Sequence, residues 1–239
     1  MRSYISTLKI LVGFLQVSSV ELITSNDPCD PLTHNVTLRQ ICHNLYGFEL
    51  FSSLMDYPKW TETGLNVVRC DFRGITEFPL SVSKDVQILD LTGNFIHHYR
   101  KQDLKGYEKL EALLLVANCL RVIRLGLPYC NSIVVIERDA FRALINLKYL
   151  DLRGNFLKIF PSRLPPSLNV LYLSFSGIER FNETDFVSLK NLSFVFMKNL
   201  CLGNPPIFQI FPSIAAKCFH AQNNLIGLDL SQNYFRKIF

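Results

Sequence analysis

Apolar residues recur along this chain at a fixed spacing. It reads VQILDLTGN from Val86 to Asn94, LEALLLVAN from Leu110 to Asn118, LKYLDLRGN from Leu147 to Asn155 and LIGLDLSQN from Leu225 to Asn233. Each stretch follows L-x-x-L-x-L-x-x-N. Two looser copies lie between them: LNVLYLSFS, ending at Ser176, and LSFVFMKNL, ending at Leu200. The final positions are 24 residues apart from Asn94 to Asn118 and from Ser176 to Leu200, and 21 apart from Asn155 to Ser176. Two gaps are longer, 37 from Asn118 to Asn155 and 33 from Leu200 to Asn233.

This is the template of the leucine-rich repeat. It predicts an α/β solenoid, a curved horseshoe segment with a parallel concave sheet. Each unit supplies one short strand, and its inward leucines are buried only when neighbouring units stack. The asparagine can donate and accept, so it can satisfy the backbone of the tight turn and of the next unit. Phe141, Leu144 and Leu147, and later Phe181, Phe186 and Leu189, are expected to close the convex side. Pro161, Pro165 and Pro166 favour an extended, shorter return in the 21-residue unit. Ser176 and Leu200 break the asparagine rule, which predicts a locally weaker ladder with other groups meeting the backbone needs.

A stack exposes its core at both ends and needs caps. Residues 65–79, LNVVRCDFRGITEFP, fit the start of an N-terminal cysteine cap, with Cys70 tied to Cys29 or Cys42; the sequence does not choose between them. Residues 43–60 show no period. At the other end QNYFRKIF places Phe235 and Ile238 on core positions, and no cysteine-rich cap follows. The expectation is an incomplete solenoid, from a truncated product or a natural short form. The resulting division is 1–20 leader, 21–80 N-terminal region and cap, and 81–239 about six repeats.

Composition changes the picture in three places. Of the 239 residues 49% are hydrophobic and 19% charged, which excludes a disordered chain. The start MRSYISTLKILVGFLQVSSV has a basic opening, an apolar stretch from Ile10 to Val17 and small residues after it, as a secretory leader does. Sequons at Asn35, Asn182 and Asn191 agree with passage through the secretory pathway. In that compartment most of the seven cysteines (29, 42, 70, 119, 130, 201, 218) should pair, and the odd count leaves one over. The formal charge of +5 is too small to argue for nucleic acid alone. No later window offers an apolar run long enough to span a membrane.

Chemistry-bearing motifs are sparse. The chain has no G-x-x-x-x-G-K-S/T, no H-E-x-x-H and no G-x-S-x-G, so no enzyme, cofactor or metal site is expected. His220 follows Cys218 by two residues, but four ligands are not in sight. His97 and His98 read either as sensors of endosomal acid or as solvated turn residues.

The binding surface of such a solenoid is its concave face. The x positions expected to be exposed there are Asp90 and Thr92, Leu114 and Val116, Tyr149, Asp151 and Arg153, Val170, Tyr172 and Ser174, Phe194, Phe196 and Lys198, and Asp229 and Ser231. Tyr149, Tyr172, Phe194 and Phe196 could stack on bases, and Arg153 and Lys198 could meet phosphate. The plainer alternative is an ordinary β-surface, where aromatics are favoured anyway. Arg121 and Arg124 fit a phosphate-facing loop or a solvated one.

Leader, cysteine cap and repeats together resemble the ectodomain of a Toll-like receptor, over roughly residues 65–239. The similarity is greatest to the nucleic-acid-sensing group, Toll-like receptors seven, eight and nine. That group carries a cysteine-flanked insertion in an early repeat, matched here from Asn118-Cys119 to Cys130, then a unit matched by LDLRGNFLKIFPSRLPPSLNVLYL. A second cysteine-bearing insertion is matched by CLGNPPIFQIFPSIAAKC, residues 201–218. The resemblance implies a Cys119–Cys130 disulfide, disulfide roles for Cys201 and Cys218, and RNA or DNA fragments as ligands. It also implies an innate-immune receptor that signals as a homodimer or heterodimer, held in the membrane by a span absent from this chain. A secreted repeat module or decoy for a protein or glycan is the alternative.

Overall fold

The computed structural model describes residues 7–12, 15–21, 64–118, 135–155, 157–200, 213–215 and 217–233. Thr7–Val12 (β1) and Leu15–Glu21 (β2) form an antiparallel hairpin within the apolar start of the chain, with Thr7 opposite Glu21 and Val12 opposite Leu15. The remaining strands, in chain order, are Val67–Arg69 (β3), Ile88–Asp90 (β4), His98–Tyr99 (β5), Ala112–Leu114 (β6), Val135–Ile136 (β7), Tyr149–Asp151 (β8), Val170–Tyr172 (β9), Arg180–Phe181 (β10), Phe194–Phe196 (β11), Ser213–Ile214 (β12) and Gly227–Asp229 (β13).

Seven of these make one parallel sheet in the order β13-β11-β9-β8-β6-β4-β3. Register follows the template, so each x-L-x triplet pairs with the next: Leu89 stands opposite Leu113, Leu113 opposite Leu150, and Leu150 opposite Leu171. β3 joins in the same register, Val68 opposite Leu89. The stretch expected to open the cap thus supplies the first strand of the ladder, with Cys70 where later units have leucine. Cys70 is fully buried and disulfide-bonded. Cys29, Cys42 and residues 43–60 lie outside the described residues, as do Phe235 and Ile238.

Leu91, Leu115, Leu152, Leu173 and Met197 line the core at 0% exposure, and Phe141, Leu144, Leu147, Phe181, Phe186 and Leu189 close it from the convex side, each fully or almost fully buried. Among the described residues that side carries turns, one 3-10 helix (Ala140–Ala143) and the two-stranded pairs β5–β7 and β10–β12, with no α-helix. In the 21- and 24-residue units the return between template copies leaves little room for more than one helical turn. No helix among the described residues is long and apolar enough to cross a membrane.

The asparagines act as expected. Asn155 donates from Nδ2 to the Leu115 carbonyl (2.8 Å) and the Leu152 carbonyl (2.9 Å), and its Oδ1 accepts the Asn118 N–H (3.0 Å). Asn94, Asn118 and Asn233 repeat this pattern between their neighbours. Ser176 does not: its buried hydroxyl has no partner. Leu200 cannot offer a side-chain bond, but its N–H donates to Asn233 Oδ1 at 2.7 Å, and the Lys198 N–H donates to Ser174 Oγ at 3.0 Å.

Two backbone rules hidden in the template emerge. The residue before each ladder position is left-handed: Gly93, Ala117, Gly154, Phe175, Asn199 and Gln232 all have φ between 52° and 69°. This conformation turns the chain sharply off the strand while its N–H still reaches the next unit, as Gly93 N–H does to the Val116 carbonyl at 2.8 Å. Glycine is the unstrained choice, and at Gly93 an added Cβ would also lie 2.2 Å from the Phe72 ring. The aspartate of each L-D-L takes the N–H two residues on: Asp90 from Thr92, Asp151 from Arg153 and Asp229 from Ser231.

Candidate ligand-binding face

Alternation along the strands sends the x side chains to the concave face. The structure divides that face in two. Leu114, Val116, Tyr149, Asp151 and Arg153, expected to be exposed, are at most 9% exposed, and Thr92 and Ser174 are buried as well. Tyr172, Phe194, Phe196 and Lys198 are half-buried, and Ser231 is open. The side chains of the first half pack on one another. Ile88, Ala112, Leu114 and Tyr149 form a second apolar cluster against Leu65, Val67, Val170 and Tyr172, separate from the main core.

Arg153 is the clearest correction. It is not a solvent-facing cation but 3% exposed, and it grips Asp151, itself at 0%. Nε lies 3.0 Å from both carboxylate oxygens and Nη2 lies 2.6 Å from Oδ2. The guanidinium also covers the Tyr172 ring at 4.5 Å. Asp151 ends β8 and Arg153 lies in the turn two residues on, close enough for its planar fork to match the carboxylate.

The aromatics form a continuous line. Tyr149 and Tyr172 meet at 5.4 Å, Tyr172 and Phe196 stack at 4.4 Å with 9° between their planes, and Phe194 continues the stack at 6.5 Å. Tyr172 and Phe196 are directly paired across β9 and β11. The half-buried end of this line, with Lys198 two residues on from Phe196, offers partly open apolar faces beside a cation. Such a surface can accept planar aromatic groups. Arg121, Arg124, Cys119, Cys130, Cys201 and Asn35 lie outside the described residues.

Cys218 also departs from expectation. It is a buried free thiol, 1% exposed, with Sγ 3.4 Å from the Asn182 carbonyl. Burial, with Asp185 and Glu183 nearby, pushes the thiol up to about 12, so it stays neutral and packs as a small apolar group. His97 and His98 border a depression with Arg100, Glu77 and Asp103, on the return side of the first unit. Among the described residues no group of acidic, histidine and cysteine side chains is arranged to hold a metal.

At the N-terminal end of the face, burial and the like charge of Asp71 raise the Asp90 carboxyl to about 6. A carboxyl whose folded value lies above its unfolded one binds its proton more tightly in the fold. It therefore adds stability as pH falls through 6 towards the unfolded value of 3.8. Between pH 7.4 and pH 5 this amounts to about 1 kcal/mol. Urea midpoints of the native protein and Asp90→Asn at both pH values should show the acid gain shrinking by that amount in the variant. Equal gains would remove Asp90 as the cause.

No family model matches the chain. Toll-like receptor 7 of Mus musculus is 31% identical over 137 residues, covering 57% of this chain and 13% of the receptor. Toll-like receptor 8 of Homo sapiens is 31% identical over 176 residues, covering 69% and 16%. Biglycan of Sus scrofa is 31% identical over 128 residues, covering 54% and 43%. The relatives are receptors and proteoglycans rather than enzymes. This chain spans less than a fifth of the two receptors. It belongs to the leucine-rich-repeat proteins, with a repeat array of the Toll-like-receptor type.

Proposed function

We propose that this chain is a ligand-facing repeat array of an innate-immune pattern-recognition receptor, with RNA or DNA fragments as its ligand class. Residues 1–20 act as a secretory leader, residues 21–80 as the N-terminal region with its cap, and residues 81–239 as repeats in the lumen of the secretory pathway or endosome. In the full-length form, ligand-stabilised pairing of two receptors would bring their signalling parts together. The observation that carries this reading is the stacked, half-exposed Tyr172–Phe196 pair, extended by Phe194 and flanked by Lys198. Similarity to Toll-like receptors 7 and 8 supports it.

The test is anisotropy of a labelled single-stranded oligonucleotide against salt, at pH 5.5 and 7.4. Stacking on an aromatic contributes about 1–3 kcal/mol per base, so Phe196→Ala should weaken binding by about fivefold or more. Lys198→Ala should lower the salt slope by about one. Absence of binding by the folded chain, or indifference to Phe196→Ala, would refute the nucleic-acid reading. The similarity to biglycan favours a second reading, a secreted repeat module or decoy for a protein or glycan. That reading predicts no oligonucleotide binding.

A further inference from the structure

The residue after the first leucine of each unit lies on one flank of the solenoid. Along that flank the row reads Asn66, Gln87, Glu111, Lys148, Asn169, Ser193 and Ile226. Most of these side chains bond along the row. The Asn66 N–H donates to Gln87 Oε1, Gln87 Nε2 to Glu111 Oε1, Lys148 Nζ to Glu111 Oε2, and Asn169 Nδ2 to Ser193 Oγ. Ile226 ends a polar row with an isoleucine 77% exposed.

A groove of about 770 Å³ runs along the last part of this flank, bordered by Lys148, Asn169, Asn191, Ser193, Asn224 and Ile226. That size suits a small-ligand cleft. Among the described residues on its lining Lys148 is the one formal charge, and it is held by Glu111 at 2.8 Å. Amides and hydroxyls beside exposed aliphatic surface suit a neutral polyhydroxyl ligand, which has hydrogen-bonding edges and a C–H-rich face.

Two of the three residues of a glycosylation sequon, Asn191 and Ser193, stand on the border of this groove. Asn191 is exposed, and its Nδ2 donates to the Pro166 carbonyl at 3.1 Å. Asn146 and Asn224, at the same position of their units, donate likewise to the Glu108 and Lys190 carbonyls. Glycosylation leaves Nδ2 one hydrogen, so this bond can persist and fix the direction in which a sugar leaves. The other described sequon differs. Asn182, Glu183 and Thr184 are all exposed, in a turn closed by the Asn182 N–H on Asp185 Oδ2 at 2.7 Å, and Asn182 does not border the groove.

We propose that the groove is the seat of the chain's own N-glycan: the inner sugars on Asn191 lie along it and cover Ile226, whereas a glycan on Asn182 stands free in solvent. The proposal rests on the secretory reading above. The donor is a lipid-diphosphate-linked oligosaccharide. The Asn191 Nδ2–C1 bond forms, the C1–O bond to phosphate breaks, the lipid diphosphate leaves, and Nδ2 loses one proton.

The experiment is timed release of glycans by a peptide N-glycosidase from the folded chain secreted by animal cells. Site conversion is read by peptide mapping in heavy-oxygen water. Asn191 should be released about tenfold more slowly than Asn182, with equal rates after denaturation. Ile226→Gln, which installs the residue this row carries at position 87, should bring the two native rates together. Equal native rates, or slow release that survives Ile226→Gln, overturn the proposal. A glycan on Asn182 with none on Asn191 overturns it and leaves the secretory reading standing. Absence of glycan from both asparagines overturns both.

Discussion

Asn155→Ala is expected to remove about 3–5 kcal/mol of folding stability, a large share of what a domain of this size holds. The substitution takes away a side chain that is fully buried and bonded in two directions. The Leu115 carbonyl keeps a bond from Asn118 Nδ2 at 2.9 Å. The Leu152 carbonyl and the Asn118 N–H lose the bonds that Asn155 gives them, each at an interior site. An interior backbone group left unmatched costs about 1–3 kcal/mol, and the vacated volume adds to it. Ser176→Ala is the internal comparison. It deletes a buried hydroxyl that has no partner, so the change should be within about 0.5 kcal/mol or stabilising. Urea midpoints of the two variants decide the matter. A loss below about 1 kcal/mol for Asn155→Ala would mean that the asparagine ladder is dispensable.

Arg153→Ala should cost about as much, by a different route. It strips the guanidinium from an Asp151 carboxylate at 0% exposure, and breaking a buried pair from one side typically costs about 3–5 kcal/mol. It also removes the cation from the face of Tyr172. Replacing both partners by apolar residues, Asp151→Leu with Arg153→Met, should restore stability to within about 2 kcal/mol of the parent, because no interior charge is then left alone. An unchanged urea midpoint in Arg153→Ala would refute the structural role. The consequence for function is direct. Lost oligonucleotide binding in Arg153→Ala would report lost fold, so Phe196 and Lys198 are the positions that report on ligand contact.

The inward leucines, the ladder asparagines and the parallel register were legible in the sequence because one repeat imposes one geometry. A leucine at each inward position must meet the leucine of the next unit, or neither is buried. The Asp151–Arg153 clasp could have been read as well, since the two opposite charges stand two residues apart where the chain turns off the strand. Its burial could not. Exposure depends on how closely the side chains of successive strands fill a concave surface, and the template does not encode that. The Cys218 assignment shows a similar limit. Cys218 occupies a core position, where sulfur packs as an apolar atom beside the Asn182 carbonyl.

What the sequence determined by itself is therefore the repeating part of this protein: strand positions, the core side of each strand, the turn-satisfying asparagines and the family. Periodicity carries this information because each unit must match its neighbours. What only the tertiary structure decided is which of the variable positions face water. It withdrew Tyr149 and Arg153 into the fold, left Tyr172, Phe194, Phe196 and Lys198 half-open, and set Asn191 beside a groove that ends on Ile226. Those outcomes arise from contacts between units at positions where the repeat leaves the residue free to vary.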